Sequence, residues 1–386
     1  MEYSATRIAP EPLRERKRAA RGSIDLPFAA LTLLLLTIGV VMVLSASYAR
    51  AYYSAATGHN AAYYFLRQLG FALAGTAAMF VMSRIPMSFY RRMSFPLLAV
   101  SALLLLVVPF IGVSQGDAKR WIDLGFTTFQ PSEIAKVAVI LYFSALICKY
   151  KGAMSTFRYG ILPFAAVLGV IVGLLVLEPH FSAAIIIIAI GGVMLFLGGV
   201  KLRWFIGVGV TALAALGVII TFFPYASGRI STWLDPFANT SGDGYQIVQS
   251  LYSIGSGGLF GLGLGQGRQT YMYLPEEHND FIFAVVCEEL GFAGAVAILL
   301  LFAALIVRGY ILAMHMRDRF SFLVTAGITT LLAIQVILNV AVVTNLVPCT
   351  GISLPFFSYG GTALMIQLGE MGIILSASRD IPVWRS

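Results

Sequence analysis

One recurrence constrains this chain more than anything else in it. Roughly ten windows of about 18 to 25 residues carry almost no charge, and each is long enough to cross a bilayer core of about 30 Å. Runs such as Leu31 to Val43 and Ala183 to Leu197 do not alternate in polarity, which excludes an outer-membrane barrel. With 59% hydrophobic and 11% charged residues, and a mean hydropathy of +0.86, a water-soluble enzyme core and a disordered chain are excluded as well. The fold class is an all-α integral membrane protein of about ten transmembrane helices.

The windows place spans near 26–47, 66–83, 94–113, 132–148, 160–177, 182–199, 204–223, 281–307, 320–344 and 358–376. The first is too long for a signal-peptide core. Although Ala49 and Ala51 give a cleavage-like pattern after it, it reads as a retained anchor.

Charge then assigns the two sides. Nineteen of the 26 Lys and Arg residues fall in the amino-terminal tail, the even-numbered connections and the carboxy-terminal tail, against six in the odd-numbered connections, with Lys136 inside a span. The positive-inside rule therefore puts both termini in the cytoplasm. The organisation is a basic cytoplasmic tail over 1–25, a membrane domain over 26–376 and a short cytoplasmic tail over 377–386. The outward side carries two long loops, 114–131 and 224–280, the larger between spans seven and eight. Binding and chemistry concentrate on such loops. The net charge of +8 is explained by orientation against membrane lipids, so no nucleic-acid partner is expected. Cys148, Cys287 and Cys349 have neither disulfide nor zinc spacing.

Several polar residues interrupt this apolar pattern. Asp280 directly precedes the eighth span in H-N-D-F-I-F, where it suits either an N-cap at the positive end of the helix or a boundary carboxylate accepting a proton from a sugar hydroxyl. Glu288 and Glu289 lie deeper in that span, where a charge needs a cavity or a partner, and Glu288 is nearer the Asp280 face. In the shorter loop, Glu133 and Lys136 are spaced to pair at the mouth of the fourth span. Lys119 and Arg120 beside Trp121 combine cations with an interfacial aromatic, suited to phosphate contact or to anchoring the loop at the membrane. Seven glycines within Gly255 to Gly267 match neither a Walker A nor a Rossmann turn and read as tight turns at a membrane surface. The stretch from Asn345 to Leu364 is apolar but broken by Pro348, Gly351, Pro355, Gly360 and Gly361. Part of it is expected to re-enter the membrane against protein.

Four ordered strings carry a resemblance: R-W-I-D-L-G with F-Q-P-S-E-I-A-K (Arg120 to Lys136), G-Y-Q-I-V-Q-S, Y-L-P-E-E-H-N-D-F-I-F with E-E-L-G, and L-P-F-F-S-Y-G-G. From about residue 26 to 376 the chain resembles the SEDS family of bacterial cell-wall polymerases. The basic tail and the S-Y-G-G context favour its division branch, with the sporulation branch close and the elongation branch next.

The resemblance implies ten helices in the bacterial cytoplasmic membrane, at the division septum. It also implies polymerisation of lipid II into glycan strands on the outer face; by analogy with inverting hydrolases, an inverting glycosyl transfer from the polyprenyl pyrophosphate donor is expected. It places the family's essential acid on Asp280, its loop tryptophan on Trp121, its helix-mouth pair on Glu133 and Lys136, and its loop arginine on Arg229. Lys119, Arg120 and Arg229 become candidates to meet the leaving pyrophosphate, and Glu288 a structural residue near the site mouth. A class B penicillin-binding protein and other division-complex membrane proteins are the implied partners. A divalent cation stays open as a cofactor, since Asp280 and lipid phosphates suffice to hold one without a dedicated protein metal site.

Two departures stand out. Asn279 replaces the usual threonine before the acid, and the end of the fifth span reads E-P-H-F-S (Glu178 to Ser182) in place of Q-P-D-L-G. Glu178 is a candidate to supply the acid that His180 lacks. The competing functional class is transport, whether a lipid II flippase or a solute carrier, with Glu288, Glu289 and Glu370 as the coupling charges. A scaffold that only recruits partners is a third.

Overall fold

A computed structural model describes residues 22–115, 118–125, 127–207, 224–242 and 244–381. Among these residues nine helices are long and apolar enough to cross a membrane. They are α1 (Leu26–Tyr53), α2 (Tyr63–Met82), α3 (Met87–Ile111), α4 (Pro131–Tyr150), α6 (Leu162–Leu177) preceded by the single turn α5 (Phe157–Gly160), and α7 (Phe181–Gly198). The series then continues with α8 (Pro224–Leu234) and α9 (Tyr245–Ser256), which are short, and with the spans α10 (Ile282–Met314), α11 (Arg319–Val343) and α12 (Gly361–Ser378). Each long helix coincides with an expected span, although α1, α3 and α10 run further into polar sequence. Helical hydrogen bonding does not stop at the hydrocarbon edge. The expected span at 204–223 lies, from 208 onward, outside the described residues, as do 1–21 and 382–386 of the two tails.

The helices sort by burial. α4, α11 and α12 bury most of their residues and form the centre, whereas α2, α3, α6 and α10 turn apolar side chains outward, as helices facing lipid do. Small residues set the close contacts: a β-carbon at Gly75 of α2 would meet Leu368 of α12 at 2.6 Å, and one at Gly372 would meet the Met79 carbonyl at 2.5 Å.

The connections collect at two ends. At one, Asp25 caps α1 and pairs with Arg308 of α10 (2.5 and 3.0 Å), and the Gly22 amide donates to the Arg379 carbonyl. At the other lie the contacts of Arg50 with Glu277, Arg120 with Pro179, Trp233 with Asn345 and Thr362 with Thr128. These two groups are the ones the distribution of basic residues separates.

Three departures from expectation are informative. The loop over 114–131 is partly a small antiparallel ribbon of β1 (Val113–Gln115), β2 (Ala118–Asp123) and β3 (Thr128–Phe129), in the order β1-β2-β3. Helix α10 is broken at Gly291, where φ is +68°, and the glycines are not surface turns but the chain that fills this break. The Leu262 and Gly263 amides donate to the carbonyls of Glu288 and Glu289, and the Phe292 and Ala293 amides donate to those of Gly258 and Leu259. A β-carbon at Gly261 would sit 2.1 Å from the Glu289 carbonyl oxygen, so side chains there are excluded by contact as well as by the positive φ of +80°.

The Asn345 to Gly360 segment is non-helical, and its second half is buried, with Ile352, Leu354, Phe356 and Phe357 in the core. Its backbone groups are satisfied by buried amides from the surrounding spans. Gln68 of α2 bonds the Ser358 carbonyl and the Gly360 amide, Gln367 of α12 accepts from the Phe356 amide, and Asn339 of α11 donates to the Ile352 carbonyl. Irregular backbone at this depth requires such partners. Sequence reasoning singled out none of these three amides; their signal is a lone polar residue inside an apolar span.

Candidate active site around Asp280

Asp280 stands one residue ahead of the α10 N-cap, which is Phe281 and carries no side-chain cap. The capping role is therefore not what holds it. Its backbone carbonyl accepts from Nδ2 of Asn339 at 2.8 Å, the same nitrogen that reaches Ile352. The preceding residues are stitched to the re-entrant segment: the Ser358 hydroxyl donates to the Asn279 carbonyl and the Tyr359 amide to the His278 carbonyl, both at 2.8 Å. Gly351 faces the acid so closely that a β-carbon there would lie 3.1 Å from Oδ2. The carboxylate makes no hydrogen bond to another described side chain and stays partly exposed.

Burial pushes the Asp280 carboxyl up to about 6, helped by the negative charge of Glu276 and opposed by Arg120. Asn279, the departure from the usual threonine, donates from Nδ2 to Glu276 at 2.5 Å and so holds the residue that raises its neighbour. Such a carboxylate is ionised at neutral pH yet more basic than an ordinary aspartate, which suits it to take a proton.

Two of the expected cations converge here. Arg120 of β2 is within electrostatic reach of Asp280, and its Nη2 donates to the Pro179 carbonyl at 2.5 Å. Arg229 of α8 donates to the Cys349 carbonyl, two residues before Gly351, and both Arg229 and Asp280 act electrostatically on the Cys349 thiol. Helix α8 is fixed to the same segment by reciprocal bonds, Trp233 Nε1 to the Asn345 carbonyl and Asn345 Nδ2 to the Trp233 carbonyl (3.1 and 3.2 Å).

The other expected residues are placed apart. Lys119 is exposed and Trp121 half-buried on the ribbon, in register with Val113, and no described hydrogen bond or ring contact joins either to Asp280. Glu133 and Lys136 do pair, at 2.7 Å, and both are buried at the start of α4. Glu288 is not an ion-pair residue at the site mouth. It accepts from the hydroxyls of Ser253 and Ser256 and from the amides of Arg268 and Gln269, which makes it the anchor of the glycine-rich loop. Glu289 accepts from Ser45 of α1 at 2.6 and 2.7 Å. These acids serve packing because a carboxylate buried in a span is held by whatever donors the fold supplies.

Sequence reasoning missed Arg50 and Glu277. Arg50, near the end of α1, grips the fully buried Glu277 in a two-pronged ion pair, and His278 lies 3.9 Å from the same carboxylate. Burial works against the charge on Glu277, but the neighbouring His278 and the hydrogen bonds from Arg50 outweigh it and hold the carboxyl below its usual range. The His278 ring packs on Tyr64 and Tyr359, with centroids 4.8 and 5.7 Å away.

Among the described residues no group of three or more His, Cys, Asp or Glu is arranged to hold a metal, and arginines neighbour Asp280. The donor set does not fit a metal held by protein alone.

Comparison with known proteins agrees with this picture. The family model for FtsW, RodA and SpoVE, described as cell cycle protein, matches residues 26–381. The chain is 40% identical to the "Probable peptidoglycan glycosyltransferase FtsW" of Trichlorobacter lovleyi, over 95% of this chain and 96% of that one. It is 38% identical to Stage V sporulation protein E of Bacillus subtilis, over 92% and 97%. A solved chain from work on structural coordination of polymerization and crosslinking by a peptidoglycan synthase complex superposes with a TM-score of 0.78 at 25% identity, covering 94% of this chain and 99% of that one. The two sequence relatives lie on the branches that the basic tail and S-Y-G-G context favour. By sequence along nearly its whole length and by fold, the chain belongs to the FtsW/RodA/SpoVE family of cell cycle proteins.

Proposed function

We propose that this chain is a peptidoglycan glycosyltransferase that polymerises lipid II into glycan strands at the outer face of the cytoplasmic membrane, during septal wall synthesis. The observation that carries the mechanism is Asp280 itself: a carboxylate that caps no helix, pairs with no side chain among the described residues, and is held by its backbone at the end of a span with Arg120 and Arg229 nearby. The family relationship supplies the reaction class.

In a single inverting displacement the acceptor 4-hydroxyl attacks the donor's anomeric carbon. The carbon–oxygen bond to the polyprenyl pyrophosphate breaks as the new glycosidic bond forms, and Asp280 takes the hydroxyl proton. Such general-base assistance is worth about 100 to 10,000-fold in rate. The charge that grows on the departing pyrophosphate is met by Arg120 and Arg229, whose backbone-carbonyl bonds pre-orient them. Lys119 and Trp121 on the exposed ribbon serve to engage the lipid headgroup at the membrane surface. Both termini are cytoplasmic, because the end of the bundle that holds Arg308 and Arg379 is the basic one. A class B transpeptidase is the partner, as suits a relative solved in a study of polymerization and crosslinking.

Purified protein with its transpeptidase in liposomes, given outward-facing lipid II, tests this. Polymer should form without a translocation step, and Asp280→Asn should abolish it while leaving the protein folded. Glycan synthesis by that variant would remove Asp280 as base.

A further inference from the structure

A group of aromatic rings close to Asp280 has no part in the mechanism above. Tyr64 in the first turn of α2, His278 and Tyr359 contact one another pairwise. The Tyr64 and His278 centroids are 4.8 Å apart, Tyr64 and Tyr359 meet edge to face at 5.0 Å, and His278 and Tyr359 lie 5.7 Å apart. Tyr63 adds a fourth ring, edge to face with Tyr64 at 5.3 Å. His278 is buried, and its Nδ1 is 3.9 Å from Glu277, too far for a hydrogen bond, so ring contacts hold the imidazole. Tyr64 and Tyr359 are half-buried.

Hydrogen bonds to the backbone fix this group beside the acid. Gln68, one turn after Tyr64 on the same face of α2, bonds the Ser358 carbonyl and the Gly360 amide, on either side of Tyr359. The Tyr359 amide in turn donates to the carbonyl of His278, two residues ahead of Asp280. The rings and the acid are therefore carried by the same stitched backbone. Tyr48, Tyr52 and Tyr53 at the end of α1 contrast with them: they are 52, 49 and 59% exposed, as aromatics at a lipid boundary are.

We propose that Tyr64 and Tyr359, backed by His278, form a subsite for a sugar of the glycan strand, next to the pair of sugars being joined. A pyranose ring presents C–H groups on its faces and hydroxyls around its rim, and a tyrosine matches both with an apolar ring and a polar tip. A polymer made at Asp280 has to run on over the neighbouring surface, and the surface tied to the same backbone is this one. Ring stacking has no fixed register, so a strand held this way can advance one unit at a time without release.

The proposal rests on Asp280 being the base of a glycan-joining site. Its test is the length of the strands made from lipid II by the full chain with its transpeptidase in liposomes, for the native protein, Tyr64→Leu, Tyr359→Leu and Tyr64→Trp. Each Leu variant should release its strands sooner and shorten them about two- to tenfold, the worth of one ring contact. Tyr64→Trp keeps a stacking face and should hold the native length. A lipid-free glycan fragment of four sugars, added in excess, should shorten the native strands to the length that the Leu variants make and shorten theirs no further. Native-length strands from both Leu variants, equal shortening by Tyr64→Trp, or a fragment that acts on the variants as on the native protein would overturn the proposal. The fragment needs no variant: if the Leu proteins fail to fold, its lack of effect on native strands overturns the proposal by itself. If the native protein makes polymer while those results fail, only the subsite falls; if it makes none, the reading of Asp280 falls with it.

Discussion

Arg50 closes on Glu277 with Nε 2.6 Å from Oε1 and Nη2 2.8 Å from Oε2, which ties the end of the first span to a residue three places ahead of Asp280. The carboxylate is fully buried while a third of the arginine side chain is exposed, so the two sides of the pair are unequal. Arg50→Ala leaves an uncompensated charge inside the protein and should cost about 1 to 3 kcal/mol, below the 3 to 5 typical of a fully buried pair. Thermal unfolding in detergent reads this loss. Arg50→Ala with Glu277→Gln should recover part of it, because the stranded charge is then gone.

Asp280 gives a prediction in pH. Its folded value, raised to about 6, means that kcat should fall about tenfold per unit as pH drops below 6, where the base becomes protonated. The sign for stability is opposite. A carboxyl raised above its unfolded value contributes stability that is fully present below the unfolded value and lost as pH rises through about 6. Asp280→Asn should therefore unfold at the same or a higher temperature than the native protein at pH 8 while making no polymer. A large drop in melting temperature would show that the carboxylate is holding the fold.

Gly351 tests the spacing around the acid. Its φ is +63° and a β-carbon would come 3.1 Å from Asp280 Oδ2, so Gly351→Ala adds backbone strain of about 1 kcal/mol and crowds the carboxylate. Polymerisation should drop about tenfold or more, mainly in kcat, since a small misplacement of a catalytic group is expensive in rate. An unchanged kcat would show that the carboxylate has room to move.

The break in α10 supplies a paired control. Gly261→Ala puts a β-carbon 2.1 Å from the Glu289 carbonyl oxygen and should prevent recovery of folded protein. Gly265→Ala has a comparable φ of +74° but meets nothing within 4 Å, so it should cost only about 1 kcal/mol. Yield and size-exclusion profile distinguish the two. Equal behaviour would mean that conformation rather than contact makes glycine necessary there.

Asn339 spans two elements with one nitrogen, donating to the carbonyls of Asp280 and Ile352. Asn339→Leu keeps the volume and strands both acceptors, at about 1 to 3 kcal/mol for a buried group left unmade. Activity should fall further than stability, and a limited-proteolysis pattern that opens first at the Asn345 to Gly360 segment would locate the cause.

The nine described spans, the two groups of connections and the candidacy of Asp280 are all written in the sequence. They follow from local rules: a bilayer sets the length of an apolar run, basic residues resist translocation, and an acid at a span boundary is visible one residue at a time. What surrounds that acid is not local. Gln68, Gln367 and Asn339 look like isolated amides until the re-entrant backbone needs donors and acceptors at membrane depth. Glu288 reads as structural in the sequence, but its partners are unknown until the glycine-rich chain is seen to fill the break in α10 and donate to it. Arg50 and Glu277, 227 positions apart, meet only because α1 packs against α10. Partners for a buried polar group are chosen by which backbones the packing brings together. Tertiary structure alone therefore decided which of the legible charges gather around Asp280 and which hold the fold.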